Sequence, residues 1–176
     1  MFQISLAVLF IILSVLIRVG PHLPNMAPIV GVGLFCGAYL PRRWAVAVPV
    51  LAMALGDLML GWVPENLFGW IAVALSAALG FLLRKRRPAW TVVGASVIGS
   101  TLFFLISNFG VWVLGCGPGW YPPTLQGLAA CLTAGVPFYR NGLVGDLVYT
   151  AVLFAGYEFF IQWHLRSTTV AALKSP

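Results

Sequence analysis

The sequence predicts an all-α integral membrane protein, a single domain over residues 1–176 built as a compact bundle of six transmembrane helices. Three observations carry this. The 176-residue chain is 61% apolar and only 8% charged, with a mean hydropathy of +0.98, a balance foreign to soluble globular domains. Apolar runs recur from end to end, and a helix needs about 20 such residues to cross roughly 30 Å of hydrocarbon. The net charge of +6 comes from Lys and Arg placed between apolar runs, which is the pattern of topological signals and not of a nucleic-acid-binding face.

The first run, 2–19, has no basic leader and no small-x-small site ahead of Gly20 and Pro21, so it is expected to be a retained span and not a signal peptide. The second, 27–40, is short and is reached through Gly20-Pro-His-Leu-Pro-Asn-Met-Ala-Pro28, whose prolines preclude a regular helix. Short or broken membrane segments often line a cavity, where freed backbone groups find partners other than lipid; an ordinary extracellular turn is the other reading. Runs 44–62, 67–83 and 90–114 are of ordinary spanning length, and 136–165 is long enough to tilt or project. Just before it, Thr124 to Ala134 carries Leu125, Leu128, Ala129 and Leu132 on one face, as expected of a short outer amphipathic helix serving as a lid or a re-entrant spacer.

Orientation follows from the basic residues. Arg42, Arg43, Arg84, Lys85, Arg86, Arg87, Arg166 and Lys174 fall on one side of this arrangement, and only Arg18 and Arg140 on the other. Both termini are therefore expected in the cytoplasm, with His22, Glu65 and Cys116 facing outward. Tryptophans mark the same boundaries, Trp44, Trp90 and Trp163 inside and Trp62, Trp70, Trp112 and Trp120 outside. Small residues at helical spacing supply close helix contacts: Gly33 and Gly37, then Ala72, Ser76 and Gly80, then Ala95 and Gly99. Gly31, Gly33 and Gly37 lie within an apolar span with no preceding strand, which favours packing over a dinucleotide loop.

Polar side chains inside spans are costly, by about 2.5 to 3.5 kcal/mol at the centre, and so mark candidate sites. At 1.5 Å per residue, Asp57 lies roughly 8 Å inside Trp62, Asn108 roughly 6 Å inside Trp112, and Asp146 roughly 13 Å below Pro137. Helical spacing groups Pro49, Met53, Asp57 and Gly61 on span three, Thr101, Leu105, Asn108 and Trp112 on span five, and Gly142, Asp146, Tyr149, Leu153 and Tyr157 on span six. Converging stripes make an outward-open site from Arg18, His22, Asn25, Asp57, Asn108, Tyr121, Arg140, Asn141 and Asp146, binding a small polar or zwitterionic nutrient. Arg18 and Arg140 would meet its anionic part, and Asp57 and Asp146 its cationic or hydroxyl part. A corrinoid with His22 on cobalt is a lesser option. The alternative is a structural or assembly membrane protein in which Arg18 pairs with Asp57 and Arg140 with Asp146 as internal ion pairs, with basic loops contacting a partner or anionic lipid.

Glu158, near His164 and Arg166, is expected at most to contact a partner. Cys36, Cys116 and Cys131 have neither metal-pair nor disulfide-framework spacing, although an outer Cys116–Cys131 bridge suits an oxidising exterior. With no HExxH, phosphate-binding loop or Ser-His-Asp order, neither an enzyme nor a cofactor or metal site is expected; a thiol enzyme using Cys131 has no activating base nearby in sequence.

The runs NMAPIVGVGLFCGAYL, ALGDLMLG, FFLISNFGVW and YPPTLQGLAACLTAGVPFYRNGLVGDLVYT resemble an uncharacterised group of bacterial transport-type membrane proteins. That group is similar to the S components, the membrane-embedded substrate-binding subunits of energy-coupling-factor vitamin transporters. The resemblance covers about Arg18 to Tyr157. It implies a six-helix fold in the bacterial inner membrane that captures a small nutrient or vitamin from outside. It also implies an energising transmembrane subunit and two ATPases as partners, and release by toppling in the bilayer. The sequence departs from that class on the first span, where Ala7 is followed four residues on by Ile11 instead of a second small residue.

Overall fold

A computed structural model describes residues 9, 12, 13, 15–20, 25–85, 87–114 and 120–174, the side chains from 164 onward excepted. His22, Cys116, Ala7 and Ile11 fall outside it. Helical residues at 15–19 lead to Gly20. Then come α1 (Ile29–Tyr39), α2 (Arg42–Ala45), α3 (Ala47–Leu60), α4 (Asn66–Gly80) continued by a 3₁₀ turn (Phe81–Leu83), α5 (Ala89–Leu114) and α6 (Leu125–Lys174). The described residues include no strand. Four helical stretches, Arg42–Leu60, Asn66–Leu83, Ala89–Leu114 and Leu125–Trp163, are long and apolar enough to cross a bilayer, and the protein is a multi-pass membrane protein.

α1 is the exception and the centre. Its 11 residues extend only about 17 Å, too little to cross hydrocarbon alone. The protein surrounds it instead: nine of its residues, Val30 through Ala38, are buried. Against α4 it crosses through small residues. A Cβ on Gly37 would collide with the Ala77 carbonyl oxygen and lie 2.8 Å from the Gly80 Cα, and one on Gly33 would lie 3.0 Å from the Ser76 Cβ. On the α5 side, Gly99 leaves room for Val30, whose Cγ1 is 2.6 Å from where a Cβ would stand. The expected small-residue stripes are thus the contacts that seat α1.

Around α1 the apolar core gathers Leu34, Phe35, Ala38, Leu83, Val92 and Phe154. Phe35 meets Phe154 and Tyr157 edge-on, with ring centroids 5.6 and 5.2 Å apart, the favoured aromatic geometry. Outward-facing Leu58, Leu82, Trp90, Val152 and Phe159 are exposed, as helices meeting lipid tails require.

Two expectations are corrected. Thr124 to Ala134 is not a separate outer helix or spacer: α6 runs unbroken from Leu125 to Lys174 with Pro137 inside it. Proline removes one backbone N–H, a cost near 3 kcal/mol, but the residues on both sides remain helical and the helix packs along α5, so packing holds the two parts in one axis. Its start is set by Thr124, whose Oγ1 accepts from the Gly127 N–H at 3.1 Å, an N-cap. Glu158, for its part, makes an internal pair. It accepts from Arg87 Nη1 at 2.7 Å and from the Tyr39 hydroxyl at 2.6 Å, and the Arg87 guanidinium lies 4.1 Å from the Tyr39 ring centroid. This latch ties the end of α1 and the second half of α6 to the basic loop.

The Gly37–Gly80 crossing sets a test. Gly80→Leu should destabilise the purified protein by about 1–3 kcal/mol through overpacking. Gly94→Leu, where a Cβ meets nothing within 4 Å, should leave the unfolding midpoint in detergent nearly unchanged.

Candidate binding cavity

At the end of the bundle opposite the basic loops lies a cavity of about 440 Å³. The segment leading into α1, the end of α3, the start of α4, the second half of α5 and the middle of α6 all reach it, through Asn25, Leu60, Asn66, Asn108 and Asp146 among others. α5 contributes Ser100, Phe103, Phe104, Ser107, Asn108 and Val111, one continuous stripe at three- and four-residue steps. The cavity-facing stripe is therefore turned by about one residue from the expected Thr101–Leu105–Asn108–Trp112 line: Leu105 is 43% exposed and the Thr101 hydroxyl instead meets Tyr139 at 2.9 Å.

Asp146 forms part of the cavity floor and is 6% exposed. One carboxylate oxygen accepts the Val30 backbone N–H at 3.2 Å, and the other accepts the Ser100 hydroxyl at 2.7 Å; the Gly31 N–H is a further donor. Pro28, the residue that precedes α1, supplies no side-chain cap. A carboxylate from α6 thus caps α1 across the fold, satisfying exposed amides and countering the positive end of the helix dipole. At the other end the Arg84 guanidinium donates to the Leu40 carbonyl at 2.6 Å. Thr150, one turn along α6, packs on Gly31 and lies 3.3 Å from the Ser96 hydroxyl, extending a polar seam among three helices.

Arg18 reaches the cavity from the segment before Gly20 and pairs with Asp57. Asp57 is 2% exposed, and its second oxygen accepts the Trp70 indole N–H at 2.7 Å. Trp70 is accordingly turned inward, unlike the boundary tryptophan expected there. The Arg18 stem passes over Gly56, where a Cβ would lie 2.6 Å from its Cδ.

Of the residues expected at the site, Arg18, Asn25, Asn108 and Asp146 line the cavity, and Asp57 stands behind Arg18. Tyr121, Arg140 and Asn141 do not line it. Arg140 is exposed and does not pair with Asp146: six residues along a helix is about 120° from facing, and Asp146 is turned to α1. Sequence reasoning missed Glu65, Asn66, Ser100, Ser107 and Tyr139, and the ring wall of Phe103, Phe104 and Phe138. The run Phe103-Phe-Leu-Ile-Ser-Asn108 already held a polar and aromatic stripe that points to three of them.

Asn25 stands at φ +60°, a left-handed conformation that Asn tolerates better than most residues. Asn108 donates to the Phe104 carbonyl at 2.8 Å, and its backbone carbonyl accepts the Cys131 thiol at 3.4 Å. The amide fits beside α6 because Gly135 has no Cβ, which would lie 2.6 Å from the Asn108 Oδ1. Among the described residues no cluster of His, Cys, Asp and Glu is suited to holding a metal ion.

Fold and site together define a polytopic membrane protein with a ring-walled, amide-lined cavity at one end of its bundle. The chain belongs to the Family of unknown function (DUF6580), which it matches over residues 1–169. No curated protein and no solved structure matches it.

Substitutions at Asp57 and at Asp146 separate the roles of the charges. Asp57→Leu leaves Arg18 without its counter-charge and should cost about 3–5 kcal/mol, while Arg18→Met with Asp57→Leu should recover most of that loss. Asp146→Leu should lower the unfolding midpoint by about 1–3 kcal/mol in stability as the α1 amides lose their acceptor, with Asp146→Asn, which keeps an accepting oxygen, falling between. Equal midpoints for Leu and wild type at 146 would contradict the cap.

Proposed function

We propose that this protein is a membrane-embedded substrate-binding protein that captures a small polar nutrient or vitamin at the outer face, in the manner of an S component of an energy-coupling-factor transporter. In this reading the N-terminal run and α1 complete six spans, both termini lie in the cytoplasm of a bacterial cell, and the host membrane is the inner membrane. An energising transmembrane subunit with ATPases drives release.

The observation that carries the reading is the cavity. Protein interiors pack as densely as organic crystals, with few voids larger than a water molecule, so a half-open 440 Å³ space lined by amides, hydroxyls, charged groups and rings is room for a small molecule and not a packing gap. Its volume falls in the range of small-molecule sites, and its lining has their usual mix of apolar wall and few polar groups. The assembly alternative accounts for the Arg18–Asp57 and Arg87–Glu158 pairs but gives no reason for the space. The site also lies at the end away from Arg42, Arg43, Lys85 and Arg87, which is the outer end under the positive-inside rule.

The test is native mass spectrometry of the protein extracted gently from its producing membrane. A co-purified small molecule is expected on the wild type and absent from Ser107→Phe, whose ring fills the cavity while the unfolding midpoint is retained. Wild type and variant both free of ligand, with larger protein complexes retained, would favour the assembly role.

A further inference from the structure

The end of the bundle opposite the cavity carries charge that the protein does not balance. The chain has four acidic residues. Asp57, Glu65 and Asp146 stand in or directly behind the cavity lining. Glu158, the one acidic residue at the basic end, is held by Arg87 and Tyr39. Arg42, Arg43, Arg84 and Lys85 therefore meet no carboxylate among the described residues.

These cations come from two loops, and one hydrogen bond gathers them. The Arg84 guanidinium donates to the Leu40 carbonyl at 2.6 Å and lies 4.8 Å from the Phe81 ring centroid, so it holds the turn after α4 against the end of α1. Arg42 and Arg43 follow closely on Leu40, and Lys85 is next to Arg84. Since a residue extends the chain by at most about 3.6 Å, that bond keeps the three on one patch. All three are exposed, and like charges so gathered repel unless an anion lies among them.

Apolar surface adjoins the charge. Trp44 is 41% exposed, Leu82 77% and Trp90 76%, and the Arg43 guanidinium lies 5.9 Å from the Trp44 ring centroid. Exposed indoles beside cations mark the headgroup level of a bilayer, where lipid phosphates stand at high local concentration and guanidinium groups suit their oxygens. An acidic protein segment would answer the charges but not the lipid-facing surface beside them.

We propose that Arg42, Arg43 and Lys85, gathered by the Arg84–Leu40 bond, hold the phosphate of an anionic phospholipid whose chains stay in the surrounding bilayer. The site is independent of what the cavity captures.

Native mass spectrometry of the delipidated full chain in detergent, titrated with dioleoyl phosphatidylglycerol or dioleoyl phosphatidylcholine, tests this. The wild type should retain phosphatidylglycerol at least about tenfold more tightly. A basic side chain at an anionic lipid surface contributes about fivefold in affinity. Arg42→Gln, Arg43→Gln and Lys85→Gln together should therefore remove the preference, while Arg42→Lys with Arg43→Lys should keep most of it. Equal retention of the two lipids by the wild type overturns the proposal. So does a preference that survives the triple glutamine variant, which would place the lipid elsewhere. An acidic protein that co-purifies with the wild type and not with that variant, the two lipids being retained alike, overturns it in favour of a protein partner.

Discussion

The structure depends on one carboxylate meeting one helix end. α1 is too short to cross a bilayer, and its first amides open inside the bundle with no side-chain cap from Pro28. In hydrocarbon an unsatisfied backbone amide costs several kcal/mol, so a buried helix start is admissible only with an acceptor brought to it. Asp146 supplies that acceptor from α6, more than a hundred residues away in the chain, and Ser100 on α5 holds its second oxygen. The contact joins three helices at one point. It also resolves the cost of an acidic group at that depth, because donors and a helix dipole replace the water that the carboxylate gives up.

The same logic recurs wherever a charge lies within the bundle. Asp57 is held by Arg18 and Trp70, and Glu158 by Arg87 and Tyr39. Arg84 closes the far end of α1 at the Leu40 carbonyl. The cavity sets the neutral amides of Asn25, Asn66 and Asn108 and the hydroxyls of Ser100, Ser107 and Tyr139 beside Arg18, Glu65 and Asp146. Glycine supplies the rest of the geometry: Gly37 and Gly80 let α1 lie against α4, and Gly135 leaves space for Asn108 beside α6.

Much of this was legible in residue order. Spans 44–62, 67–83 and 90–114 correspond to Arg42–Leu60, Asn66–Leu83 and Ala89–Leu114, because hydropathy reports directly on which segments tolerate lipid. The glycine and alanine stripes were read as packing surfaces and are, since small residues at four-residue spacing have little other use in an apolar helix. Asp146, Asp57, Arg18 and Asn108 were singled out by their cost in hydrocarbon, and all four lie in or directly behind the cavity lining. Arg140, Asn141 and Tyr121 were expected at the same outer level and do not line it. The turn of the α5 face from Leu105 to Ser107 was missed because both faces of that helix are apolar enough to satisfy the period.

Sequence by itself determined the class, the longer spanning segments and which ionisable groups must be satisfied within the protein, because each follows from transfer free energies summed along a segment. Tertiary structure alone decided the partners. Asp146 and Arg140 share a helix but face about 120° apart; the placement of α1 decides that Asp146 meets Val30, and Arg140 is exposed. Likewise Pro137 reads locally as a break, but α6 continues through it, since packing along a neighbouring helix outweighs the loss of one hydrogen bond. The cavity too is a property of assembly: its walls come from segments spread from Arg18 to Asp146, and no local pattern records how far apart five packed elements will stand.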